Sequence, residues 1–143
     1  MTDATATSDV LRPPEGFEPY PAISPFMTLL GPLWARQEAE GGISVGLWIQ
    51  NRHLNHQQAV HGGMVASLAD NAMGYQAARA CGGSVATVHL CVDYMARVMQ
   101  GSWLEVCSRI DRRGKKLLFS ACTGMVDQQP VFRASAVFAA IGR

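Results

Sequence analysis

The segment that most constrains this chain is residues 61–81, HGGMVASLADNAMGYQAARAC. Small and apolar residues fill it, its single acid is Asp70, and no Lys or Arg precedes Arg79. Gly82-Gly83 follows, a helix stop signal, so the segment predicts one long helix from His61 to Cys81. A helix this poor in charge needs cover on nearly all sides. The cover has to come from strands. Leu33–Glu38 and Ile43–Gln50 read as two strands joined at Glu40-Gly41-Gly42, and 51–60 as a polar loop. After the helix, Ser84–Ala96, Ser102–Asp111, Lys115–Val126 and Val131–Ile141 carry the alternation of half-buried strands. Arg112-Arg113-Gly114-Lys115 reads as a tight hairpin, and Asp127–Pro130 as a turn. One long helix and about six strands predict an α+β domain, an antiparallel sheet wrapped on the helix.

At 143 residues the chain fits one domain and is too short for an α/β-hydrolase, a TIM barrel or a two-part dinucleotide fold. Residues 1–22, rich in Thr, Ala, Ser, Asp and Pro, predict a mobile tail, with the domain spanning 23–143. Ser24 and Pro25 are placed to start a short helix that Gly31-Pro32 stops. A formal net charge of +1 calls for no nucleic acid partner. No apolar run is long enough to span a membrane, and the acidic N-terminus does not resemble a signal peptide; the expected compartment is the cytoplasm. Cys81, Cys91, Cys107 and Cys122 form no C-x-x-C pair and predict reduced, buried thiols.

Two features carry candidate chemistry. Asp70 sits in mid-helix with Ala66, Ser67, Met73 and Gly74 one turn away, none of them a cation. It reads either as a solvent-facing residue or as a desolvated carboxylate suited to act as base or nucleophile. Gly62, at the helix start, has an amide without an internal partner and no side chain to keep a substrate carbonyl away. The same glycines equally suit a tight entry into the helix. Gly62 and Asp70 are eight residues apart, ~12 Å along a helix, whereas reacting atoms must lie within ~3.5 Å. If both act, each site joins the helix start of one chain to the Asp of another, which requires a symmetric dimer.

The HGG-x6-D segment, Asn55 six residues before His61, and the strand order around one long helix resemble the hotdog-fold thioesterases of the PaaI-like group. The likeness spans roughly residues 24–142. It implies a six-stranded antiparallel sheet around a central helix, a homodimer with dimers often pairing into a homotetramer, and hydrolysis of acyl-CoA thioesters. By the same resemblance, Asp70 is the catalytic carboxylate and the Gly62 N–H polarises the thioester carbonyl. Asn55 and His61 match polar residues beside that carbonyl and at the helix start, and Thr87 matches a Ser or Thr that positions water or the carboxylate. Where the family often has Gly, three residues before the His, this chain has Gln58. The hairpin Arg112-Arg113-Gly114-Lys115-Lys116 matches a segment lying along CoA, and Arg97 is placed to help. No metal and no cofactor beyond the substrate's own CoA are implied.

Other readings are weaker. Gly42-Ile43-Ser44-Val45-Gly46 matches GxSxG, but strand follows the Ser where a nucleophile elbow needs a helix. His53, His56 and His61 fit no zinc spacing and read as surface-loop histidines. His89, two residues from Thr87, reads as a core histidine on the same strand face. Met64, Leu68, Met73 and Tyr75 are candidates for an acyl pocket. Hydration of an acyl thioester would draft His61 and leave Asp70 unexplained; a non-catalytic acyl-CoA binder is the third class.

Overall fold

In the computed structural model, residues 11–142 are described. In chain order they form β1 (Glu18–Pro19), α1 (Pro25–Leu30), β2 (Trp34–Gln37), β3 (Ile43–Trp48), α2 (Gly62–Cys81), β4 (Ser84–Tyr94), β5 (Trp103–Arg113), β6 (Leu117–Val126) and β7 (Gln129–Ile141). The strands make one antiparallel sheet of order β1-β2-β3-β5-β6-β7-β4. This is the expected α+β architecture, with seven strands rather than six.

The additional strand corrects the expectation of a mobile tail over residues 1–22. Residues 1–10 lie outside the described residues, but Glu18 and Pro19 pair with Ala35 and Trp34. Aromatic burial fixes them there. Phe17 packs edge-on against Trp103 with ring centroids 5.0 Å apart, and Tyr20 lies 5.2 Å from Tyr75 on α2. Two aromatic side chains bury enough area to order a stretch whose composition otherwise reads as linker.

The sheet covers one side of α2, while most of its other residues stay half-buried, less cover than the composition predicts. Leu68, Ala69, Ala72, Met73 and Ala77 are fully buried, packed with Val45, Leu104, Val106, Leu118, Phe132 and Phe138 from the strands. His61 caps the helix, its Nδ1 accepting from the Gly63 N–H at 2.8 Å, and Gly82 ends it in the left-handed conformation at φ 68°. Buried Leu and Met side chains are worth about 1.5–3 kcal/mol each, so packing rather than propensity holds this helix.

Several local expectations shift. The hairpin after β5 turns at 114–116, so Lys115 and Lys116 lie in the turn, not in a strand. Asp127 and Gln128 alone form the last turn, with φ of 49° and 62°, and Pro130 enters β7. Of the four cysteines only Cys122 is buried, and burial pushes its thiol up to about 12; Cys91 and Cys107 are exposed because they fall on the sheet face away from the helix. Ser44 is a buried β3 residue with no nucleophile geometry. The second glycine of the GxSxG match, Gly46, has a different reason to exist: a Cβ there would lie 2.3 Å from the Trp103 ring.

Gly124 is under the same constraint from Phe132, whose Cε1 lies 2.1 Å from where a Cβ would be. Gly124→Ala should therefore cost about 1–3 kcal/mol, as overpacking does. Denaturant unfolding should show a lower midpoint with an unchanged m-value.

Candidate active site

A cleft of about 520 Å³ opens at the N-terminal end of α2. Asn55, His61, Gly62 and Arg97 line it together, with Val60, Val65, Met95, Val98 and Phe132 as its apolar wall. The acyl-pocket candidates are corrected here: Met64, Leu68 and Met73 are buried in the core, and Tyr75 packs on Tyr20.

The loop over 51–60 places Asn55 at the cleft. Asn55 Oδ1 accepts from the Gln57 N–H at 2.9 Å and the Ala59 N–H at 3.3 Å, which folds the loop on itself and leaves the Nδ2 donors for the cleft. Gln58 takes φ 63°, the left-handed conformation that glycine adopts without strain. The chain thus keeps the loop path that a glycine would give, at the cost of a strained Gln. Arg97 closes the far rim, its Nη2 donating to the Gln57 carbonyl at 2.6 Å.

His53 anchors this loop from below. It is 1% exposed, not a surface residue as expected. Its Nδ1 accepts from the Gln50 N–H at 3.0 Å, so the ring is neutral with its proton on Nε2, 2.7 Å from the Leu30 carbonyl at the end of α1. Burial holds its pKa below the ordinary histidine value, with Arg52 adding to the effect and the Leu30 bond opposing it. Among the three loop histidines, His56 is exposed and His61 caps α2.

Gly62 begins α2, and among the described residues no acceptor meets its N–H. A Cβ at Gly62 would sit 3.4 Å from the Tyr94 ring, in van der Waals contact. Tyr94, unforeseen in the sequence, covers this point and donates its hydroxyl to the Gly62 carbonyl at 2.6 Å. The sequence marks it only as a tyrosine near the end of the Ser84–Ala96 strand.

Asp70 does not reach this cleft. It is half-buried on the side of α2 that faces β4, and the Thr87 hydroxyl donates to its Oδ1 at 2.7 Å. Among the described residues no Lys or Arg pairs with it. Thr87 and Tyr94 are seven residues apart, an odd spacing that would send them to opposite faces of an unbroken strand. A bulge between Thr87 and His89 adds one residue, so both meet α2. The same bulge turns His89 to the outer face, where it is exposed, correcting the expectation of a core histidine beside Thr87.

The cationic hairpin is at the other end of the sheet. Leu117 pairs with Ala139 and Ala139 with Ala86, near the start of β4; Tyr94 pairs with Phe132 and Phe132 with Gly124, at the cleft. The seven residues from Leu117 to Gly124 span ~23 Å of strand. Arg112, Arg113, Lys115 and Lys116 are exposed, and Gly114 bonds across the turn to the Leu117 carbonyl at 2.8 Å. One chain therefore presents three separate parts: a cleft, an Asp–Thr pair and a cationic turn.

Comparison with known proteins places this architecture. The model of the thioesterase superfamily matches residues 57–132. A candidate esterase of Pseudomonas aeruginosa is 37% identical over 131 residues, covering 90% of this chain and 98% of that protein. A mutant of the phenylacetic acid degradation protein PaaI from Thermus thermophilus superposes with TM-score 0.76 at 20% identity, covering 82% of this chain and all of that one. A Streptococcus mutans protein bound to acetyl CoA gives TM-score 0.71 at 18% identity, covering 94% and 96%. The chain belongs to the thioesterase superfamily. Its fold is the PaaI-like hotdog fold, and its family membership makes it a thioester hydrolase.

The His53 geometry predicts an acid-labile loop. The unfolded chain binds a proton at His53 near the ordinary value, about 6.5, and the folded chain binds it only at lower pH. Its contribution to stability is thus present above about pH 6.5 and lost as pH falls through the folded value. Urea unfolding from about pH 7 to about pH 5 should show falling stability, with a shallower slope in His53→Gln.

Proposed function

We propose that the protein hydrolyses acyl-CoA thioesters at two sites on a homodimer interface, with no metal and no cofactor. The observation that carries this reading is the unsatisfied Gly62 amide at a partly apolar cleft, with a carboxylate on the same helix too far away to serve it. A second copy supplies what is missing. Among the described residues β4 is hydrogen-bonded on one side only, to β7, and its outer edge is open for eleven residues. An open edge of this length is a template for pairing. Antiparallel pairing with a copy sets the start of one β4 beside the end of the other. The partner's Asp70 and Thr87 then approach the Gly62 cleft, and the partner's hairpin approaches its mouth.

In this arrangement the thioester carbonyl accepts from the Gly62 N–H and Asn55 Nδ2, where charge develops on oxygen during attack. Asp70, held by Thr87, activates water or attacks directly to give an anhydride. Arg97 and the exposed Arg112, Arg113, Lys115 and Lys116 offer charge to the CoA phosphates, with Gly114 letting the turn lie close. The acetyl CoA bound to the Streptococcus mutans neighbour belongs to the ligand class proposed here. Among the described residues no helix is long and apolar enough to cross a membrane; the cytoplasm is the proposed site of action. Pairing of dimers into a tetramer belongs to the same proposal. A hydratase or a mere binder would leave the Asp70–Thr87 pair without a task.

Asp70→Asn should lower hydrolysis of a responsive acyl-CoA by about 10²–10⁴-fold while calorimetry shows unchanged CoA binding. Undiminished turnover would overturn the assignment, as would failure of the native protein on a panel of aryl, short-chain and long-chain esters. Sedimentation should give a dimer or tetramer, and an active monomer contradicts the shared site. Single-turnover hydrolysis in heavy-oxygen water separates the two routes, because label in Asp70 itself marks the anhydride.

A further inference from the structure

The HGG segment contains a hydrogen-bond chain that the roles given above do not use. The Tyr94 hydroxyl donates to the Gly62 carbonyl at 2.6 Å. That carbonyl shares its peptide group with the Gly63 N–H, which donates to His61 Nδ1 at 2.8 Å. A donor on a carbonyl polarises the peptide and strengthens the donor at its other end. The two bonds thus reinforce each other through one peptide plane.

From this chain we propose that Tyr94 is a positioning residue that, through the Gly62–Gly63 peptide, locks the His61 ring with its Nε2–H facing the cleft. The inference rests on the thioesterase reading for its purpose, since it adds one oriented donor beside the reacting carbonyl. A neutral imidazole accepting at Nδ1 carries its proton on Nε2, and that N–H remains available at the cleft wall that His61 shares with Asn55.

An independent feature points the same way. With no side chain at Gly63, the ring folds back onto the amide two residues ahead without having to shift. A Cβ there would lie 3.0 Å from His61 Nδ1 and 3.1 Å from Cε1. The two glycines therefore have different tasks: Gly62 leaves room at the carbonyl-binding amide, and Gly63 leaves room for the ring. Tyr94 is 56% exposed, so its hydroxyl would otherwise donate to water. Its use on a helix carbonyl, at short range, makes it the outer end of the lock.

Nitrogen-15 NMR of the imidazole reads the lock directly, without substrate. In the full-length native protein His61 should show a single neutral tautomer with the proton on Nε2. Tyr94→Phe removes only the hydroxyl and should give a mixture of tautomers. Gly63→Ala should do the same by displacing the ring. On a responsive acyl-CoA, Tyr94→Phe should lower kcat roughly five- to tenfold, the worth of one neutral hydrogen bond, with KM within about twofold. Native ring signals retained in Tyr94→Phe would overturn the proposal, as would a native ring already mixed between tautomers. A loss of thermal stability with no change at the ring would assign Tyr94 a merely structural role and equally overturn it. The ring measurement needs no turnover, so a native protein inactive on every ester would sink the thioesterase reading separately.

Discussion

The first amides of an α-helix have no acceptor within the helix, and this protein is organised around one of them. Burial of one side of α2, from Met64 and Val65 through Ala77, fixes the helix against the sheet, so the Gly62 N–H at its start has a set direction. Each neighbouring element then has a definable relation to that point. The 51–60 loop brings Asn55 and is anchored by His53 to α1. β4 brings Tyr94 to the adjoining carbonyl. β7 contributes Phe132 to the apolar wall. A helix free to fray would offer the same amide without the orientation that polarising a carbonyl requires.

The second constraint is distance. Asp70 and the cationic turn face the same sheet as the cleft but lie at other levels of it, and strands are too stiff to bring them together within one chain. In the proposed homodimer, two-fold symmetry would resolve this without any new element, because antiparallel edges exchange the ends of the sheet. The unpaired β4 edge, a liability in an isolated chain, is in this account what joins the halves of the site.

The sequence made the helix, the strand order and the helix-start residues legible because each rests on local pattern: a charge-poor run, alternation and terminal glycines. What it hid depends on contacts distant in sequence. Phe17 and Tyr20 look like parts of a Pro-rich tail until Trp103 and Tyr75 are placed beside them. His53 looks like any loop histidine until Leu30 meets its ring. Tyr94 is one of three tyrosines, and only the crossing of α2 over β4 singles it out. Asp70 stands out as the lone acid of a charge-poor helix and Thr87 only through the family resemblance, and their hydrogen bond is visible only in the folded chain. Gln58 shows the reverse case, in which a departure from the pattern left the backbone path intact.

The bulge in β4 has an evolutionary consequence. Because Val88 resets the alternation, the phase of that strand is set by its length as well as by its side chains. Losing that one codon would leave every neighbouring residue unchanged, yet either Thr87 or Tyr94 would be turned away from the helix. Among descendants of this chain, indels in β4 should therefore be purged more strongly than substitutions at the same positions, and those that survive should come in compensating pairs.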